Sequence, residues 1–152
     1  MERDGYIYIL ENPSFPGWCK IGFTYNVQQR LAELNTETGV PYAFRVYATY
    51  KTPMHLADKY VHQIIDLLNP DLRTAETFGG KKRLREFYTM GAATAYKILM
   101  CIAEISGTKD RLELTYPNGK KKPCVEPQEQ MLLAKSICNQ NLFLKRNDPP
   151  QY

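Results

Sequence analysis

Histidine is scarce in this chain: His55 and His62 are the only two among 152 residues. The four cysteines, Cys19, Cys101, Cys124 and Cys138, stand far apart and none forms a CxxC pair. With so few imidazoles to help, a zinc site is disfavoured, and the cysteines read as reduced, mostly packed thiols of a cytoplasmic or otherwise intracellular protein. No apolar run approaches the roughly 20 residues of a membrane span, and Met1 to Tyr6 lack the apolar core of a secretory signal. Internal repeats and low-complexity tracts are absent too, which excludes solenoids and biased linkers.

What is present suits one globular domain with an extension. Hydrophobic residues make up 43% and charged residues 24%, enough for a real core and a solvated surface. Net charge is a modest +4, but the cations cluster. Lys81, Lys82, Arg83 and Arg85 form one knot; Lys120, Lys121 and Lys122 form another; Lys145 and Arg146 lie near the end. Clustered cations suit phosphate binding, and each knot reads equally as a solvated turn.

Periodicity divides the chain. Tyr6 to Leu10 and Trp18 to Gly22 read as strands joined by a turn-rich loop, Glu11 to Gly17. Asn26 caps a helix to about Asn35, striped by Val27, Leu31 and Leu34. Tyr42 to Lys51 alternates as a third strand, with Tyr42, Phe44, Val46, Ala48 and Tyr50 on one side. Thr52 and Pro53 open a helix that reaches Leu68 and buries Leu56, Tyr60, Val61, Ile64 and Leu68. Asn69 to Gly80 reads as loop, and Met90 to Ile105 as a helix carrying Ala95, Leu99, Ile102 and Ile105. A soft boundary falls at Ser106 and Gly107, giving a domain over 1–106 and an extension over 107–152. In the extension, Arg111 to Tyr116 starts a hairpin through Pro117, Asn118 and Gly119. Pro127 opens a helix to about Asn139, with Met131, Ala134 and Cys138 on one face, and the tail from about 145 is loose.

Two strand residues are chemically odd. Tyr8 and Lys20 carry polar groups where a buried strand would not choose them. Alternation puts Tyr6, Tyr8 and Leu10 on one face, and Trp18, Lys20 and Gly22 on the matching face, so an unbulged hairpin sets Tyr8 opposite Lys20. A phenol has a pKa of about 10, and a neighbouring ammonium lowers it toward use as a base. The same pair also reads as a ring covered by a lysine stem. Arg30 lies at the edge of its helix's apolar stripe, within reach of the sheet or of Glu33 and Glu37. Glu86 is enclosed by the basic knot and by Phe87 and Tyr88, and reads as anchored or as neutralising Arg83 or Arg85. His62 falls on the polar side of its helix, opposite Tyr60 and Ile64, facing either a site or solvent; His55 reads as solvated.

In this order the four positions resemble the GIY-YIG nuclease superfamily. Gly5-Tyr6-Ile7-Tyr8-Ile9-Leu10-Glu11-Asn12 is similar to its first motif. Pro16-Gly17-Trp18-Cys19-Lys20-Ile21-Gly22-Phe23-Thr24 is similar to the second motif of a phage, viral and bacterial branch that reads KIG in place of YIG. Arg30 in QRLAEL resembles the catalytic arginine, His62 the branch's histidine helix, and Glu86 in REFY the metal-binding glutamate. The likeness covers roughly the first two-thirds of the chain. It implies an α+β fold with a small three-stranded antiparallel sheet flanked by helices. It also implies hydrolysis of DNA phosphodiester bonds with one Mg²⁺ or Mn²⁺ held by Glu86, and catalytic roles for Tyr8, Lys20, Arg30 and His62.

The function expected on these grounds is a metal-dependent endonuclease acting on DNA, in double-stranded form, with a transient dimer able to cut both strands. The alternative is a catalytically silent nucleic-acid-binding module on the same scaffold. A third reading is a protein-interaction domain using Tyr25, Tyr42 and Tyr47; steep salt dependence of binding separates it from the first two. Nothing in the sequence distinguishes DNA from RNA. The PNGKKK turn reads as a phosphate grip, with a stabilising appendage as the plainer reading of the final helix.

Overall fold

A computed structural model describes residues 3–36, 39–55, 57–115 and 121–123. Strand β1 spans Gly5–Glu11 and β2 spans Cys19–Thr24. The loop between them is fixed by Asn12. Its Oδ1 accepts from the Ser14 amide at 2.8 Å, and its Nδ2 donates to the Tyr42 carbonyl at 2.7 Å. Asn26 then caps α1 (Val27–Asn35), its side chain accepting from the Gln29 amide at 3.1 Å. Strand β3 (Arg45–Thr52), helix α2 (Asp58–Leu68), strands β4 (Arg73–Phe78) and β5 (Lys81–Tyr88) and helix α3 (Ala92–Ser106) follow. Helix α3 stops at Gly107, whose φ of 67° is the left-handed conformation a helix terminus favours. Strands β6 (Leu112–Thr115) and β7 (Lys121–Pro123) complete the described chain.

All these strands belong to one seven-stranded sheet in the order β4-β5-β2-β1-β3-β6-β7, antiparallel throughout. The expected three-stranded sheet is therefore corrected: β1, β2 and β3 form its centre, and two strands extend it on each side. The fold remains α+β. On one side the added pair is the β4–β5 hairpin, where a loop and a basic knot were expected. Gly79 and Gly80, at φ 58° and 76°, make the two-residue turn between Phe78 and Lys81. On the other side β6 pairs with β3, so the chain beyond Gly107 contributes to the same sheet.

The two faces of the sheet carry different cores. Helices α2 and α3 cover Ile7, Ile9, Cys19, Ile21, Ala48, Tyr50, Tyr88 and Leu112. Tyr8, Leu10 and Phe44 lie on the opposite face, against Leu31 and Leu34 of α1, with Val46 and Phe87. A bulge separates the halves of β3. Ile9 pairs with Ala48 but Leu10 with Val46, so Tyr47 is the extra residue. Phe44 and Val46 consequently face α1 while Ala48 and Tyr50 face α2 and α3, which breaks the uniform alternation expected.

Both long helices are rotated from the expected phase. Helix α2 buries Asp58, Val61, His62 and Ile65, leaving Tyr60, Ile64 and Leu68 exposed. Two apolar stripes compete on this helix, and the sheet accepts the one that brings His62 and Asp58 with it. Helix α3 packs through Ala92, Ala95, Tyr96, Leu99, Met100 and Ala103, with Ile105 exposed; its alanines let the backbone approach the sheet closely. No helix among the described residues is long and apolar enough to cross a membrane. Leu56, the turn at 117–119, the helix expected at 127–139, Cys124, Cys138, Lys145 and Arg146 lie outside the described residues.

Candidate functional site

The central hairpin has a register two residues from the expected one. Tyr8 pairs with Gly22 and Leu10 with Lys20. Because side chains repeat every second residue, a two-residue difference keeps Tyr8 and Lys20 on one face. It also gives Gly22 a role that the sequence reading did not assign. A Cβ at Gly22 would lie 2.3 Å from the Tyr8 hydroxyl, so the missing side chain is the space through which the Tyr8 ring passes.

Tyr8 is fully buried beneath α1. Burial is the main influence on its hydroxyl and raises its pKa above the usual 10; hydrogen bonding to Arg30 opposes the rise and Glu86 adds to it. The expected lowering by Lys20 is not found: Arg30 is the cation at the phenol, and Lys20 is committed elsewhere. Arg30 stands on the second turn of α1, half-buried, with Glu33 at 3.5 Å on its outer side. The bond to Tyr8 strengthens its hold on its proton.

Lys20 is buried, and its Nζ lies 2.6 Å from Oε2 of Glu86 and 5.0 Å from the centre of the Phe87 ring. Cation and ring attract, while the stem of the lysine fills apolar space. Glu86 reaches Lys20 through an irregularity in β5. Between Arg73 and Ala75 the pairing advances two positions on β4, but from Tyr88 to Leu84 it advances four on β5. Strict alternation would set Phe87 and Glu86 on opposite faces. Here Phe87 pairs across from Lys20 and Glu86 still meets the same lysine. The carbonyls freed by the irregularity are taken by β4 side chains. Arg73 Nε donates to Arg85 O at 2.8 Å, and Thr74 Oγ1 donates to Phe87 O at 3.0 Å.

Tyr8, Lys20, Arg30 and Glu86 therefore gather on the α1 face from β1, β2, α1 and β5. His62 does not join them. It is buried on the opposite face, its Nδ1 2.6 Å from the Tyr88 hydroxyl and its ring 11° from parallel with that ring. The expectation that it faces a site or solvent from a polar helix side is corrected. The cause is the rotation of α2, with Asp58 on the same buried stripe, 3.5 Å from His62 Nε2. His55 is exposed, as expected, and bonds the Tyr25 hydroxyl at 2.7 Å.

The basic knot sits at and near the β4–β5 turn. Lys81 and Lys82 are exposed there; Arg85 pairs with Glu76, its Nε 2.8 Å from Oε2, and not with Glu86. Lys120 and the side chains of Arg83, Lys121 and Lys122 lie outside the described residues; the backbone of Lys121 and Lys122 belongs to β7.

Among the described residues no three His, Cys, Asp or Glu side chains converge as a metal cage. Glu86 is the one acidic group in the constellation. Its carboxylate is half-exposed and uses only Oε2 toward Lys20. One accessible carboxylate oxygen fits Mg²⁺ or Mn²⁺, hard cations that keep several of their own waters and need few protein ligands.

Neither a comparison with curated proteins nor one with solved structures finds a match to this chain. A family model of the T5orf172 domain matches residues 5–103, a span that holds Tyr8, Lys20, Arg30 and Glu86 together with α2 and most of α3. By that match the chain belongs to the T5orf172 domain family.

Proposed function

We propose that this chain is a metal-dependent endonuclease that hydrolyses DNA phosphodiester bonds at a GIY-YIG-type site inside the cell. The observation that carries the reading is the convergence of Tyr8, Lys20, Arg30 and Glu86 on one sheet face from four separate elements. Arg30 presents a planar fork of donors that braces the phosphoryl oxygens where charge builds up in the transition state. Lys20 orients Glu86 and lends positive charge to the same region. The Tyr8 hydroxyl is the group placed to take a proton from the attacking water. Burial opposes the phenolate this requires and Arg30 favours it. A divalent ion on Glu86 would polarise the phosphate and stabilise the leaving oxygen. Lys81 and Lys82 at the hairpin turn supply phosphate contacts to duplex DNA that fix position rather than sequence.

Two observations favour a silent DNA-binding module instead: the Lys20 ammonium holds one oxygen of Glu86, and burial shifts the Tyr8 pKa upward. Plasmid DNA incubated with the protein and Mg²⁺ at low salt, beside a folded Glu86→Ala variant, separates the two. Nicking by the wild type, absent from the variant and suppressed by EDTA, is the expected result. Salt-sensitive binding without cleavage across several DNA forms and metals selects the silent module. Equal cleavage by both proteins places the site elsewhere.

A further inference from the structure

We infer that α2 is a clamp on the strand that carries Glu86, and that His62 is a positioning residue of this clamp. The inference rests on reading Glu86 as the carboxylate of the site.

Asp58, His62 and Asp66 recur every fourth residue along α2 and so share one side of the helix. Each end of this row holds β5. At one end Asp66 binds Arg73 Nη1 at 2.7 Å, and Arg73 Nε donates to the carbonyl of Arg85. At the other, His62 Nδ1 meets the Tyr88 hydroxyl at 2.6 Å, with Asp58 behind it. Glu86 lies between the two held points, Arg85 and Tyr88.

The ladder explains why β5 needs such holding. Strand β2 pairs with β5 at Cys19–Tyr88 and Lys20–Phe87 and no further, so Glu86 has no backbone partner across from it. It also sits in the stretch where β4 and β5 lose step. Regular hydrogen bonding does not define the path of the backbone that carries Glu86; the bonds from α2 and β4 to its neighbours do, and Lys20 then receives the carboxylate.

The direction of the His62 bond follows from the chemistry. Asp58 Oδ2 stands 3.5 Å from His62 Nε2, and a carboxylate there favours a ring proton on Nε2, which leaves Nδ1 to accept from the buried Tyr88 hydroxyl. Neither Nε2 nor Asp58 Oδ1 has a hydrogen-bond partner, and the two side chains meet through Asp58 Oδ2, 3.5 Å from Nε2. His62 stands on the sheet face away from Tyr8, Lys20 and Glu86. It acts through Tyr88, from behind the sheet.

The test uses the full chain with His62→Ala, His62→Asn, Tyr88→Phe and the His62→Ala/Tyr88→Phe double variant. Plasmid nicking with Mg²⁺ and amide hydrogen exchange are both followed. His62→Ala and Tyr88→Phe should each lower kcat on the order of tenfold with KM for DNA unchanged, the range seen when supporting residues of a site are removed. The shape of the pH profile should be that of the wild type. His62→Asn, whose amide oxygen can accept the tyrosine proton in place of Nδ1, should recover most of the loss. The double variant should be no worse than His62→Ala, because both break one link. In the same variants the amides of Phe87 and Tyr88, the β5 residues paired with β2, should exchange faster while those of Ile9 and Ile21 keep wild-type protection.

Unchanged exchange at Phe87 and Tyr88 in folded His62→Ala or at Phe87 in folded Tyr88→Phe overturns the clamp. So does a His62→Ala protein that loses a limb of the pH profile while Tyr88→Phe behaves as wild type, since His62 would then touch the substrate. A wild type that does not nick DNA defeats the nuclease reading alone, and the exchange pattern still decides the clamp.

Discussion

Lys20 and Glu86, 66 positions apart in the chain, meet at 2.6 Å on one face of the sheet. The lysine is buried and the glutamate is 42% exposed in its side chain. This inequality decides what each partner's removal costs. Glu86→Ala leaves a buried ammonium without its anion and should destabilise the protein by about 1–3 kcal/mol, a value below that of a fully buried pair because water reaches the site. Lys20→Met leaves a carboxylate that water can solvate and should cost less, or stabilise. Urea unfolding of the two variants ranks them; the reverse order would mean that Lys20 is hydrated in solution.

Gly22→Ala tests the passage of the Tyr8 ring. The added methyl would lie 2.3 Å from a buried hydroxyl, so the ring or the strand must move. A loss of about 1–3 kcal/mol is expected, as for other overpacked sites, together with a larger loss of nicking than Tyr6→Phe causes. A variant as stable and active as the wild type would place the Tyr8 ring elsewhere.

The phase of α2 predicts a contrast within one helix. Ile65→Ala removes a fully buried side chain and should cost about 2–5 kcal/mol. Leu68 is 81% exposed, and Leu68→Ala should stay within about 0.5 kcal/mol of wild type. Thermal denaturation distinguishes the two, and equal losses would show that something covers Leu68 in solution.

Burial holds protons on Cys19, Tyr8 and Tyr88. The Cys19 thiol is pushed up to about 12 from 9.0, and both tyrosines are raised above 10.0, in each case chiefly by desolvation. The folded state therefore binds these protons more tightly than the unfolded chain does. Their contribution to stability is complete below about pH 9 and is lost progressively as pH rises through 9 toward 12. Denaturant midpoints measured across that window should fall. At pH 8 iodoacetamide should label exposed Cys101 and spare buried Cys19, which peptide mass spectrometry reads directly.

Local signals carried much of this far. The alternation around Tyr8, the Asn26 cap and the Gly107 stop are each set within a few residues, and β1, β2, α1 and α3 lie close to where those signals put them. Tyr8 and Lys20 kept their common face because a register difference of two preserves parity. The β4–β5 hairpin was hidden by its charge: KKRLRE reads as a solvated knot, although Gly79-Gly80 between two six- to eight-residue runs is a recognisable hairpin turn. The bulge at Tyr47 and the irregularity in β5 were not legible, because they are settled by pairing with partners distant in sequence. The position of His62 was lost for the same reason. Two apolar stripes on α2 were each good enough to bury, and tertiary packing chose the one that carried a hydrogen-bond partner to Tyr88.

The short seam between β2 and β5 also bears on when the constellation exists. Tyr8, Lys20 and Arg30 leave the ribosome early, on β1, β2 and the helix that follows them, whereas Glu86 arrives on a later hairpin joined to β2 at Cys19–Tyr88 and Lys20–Phe87. Detachment of that hairpin alone dismantles the constellation while leaving β1, β2 and β3 paired. The hairpin is thus the removable half of the constellation, and a nascent or partly opened chain lacks it.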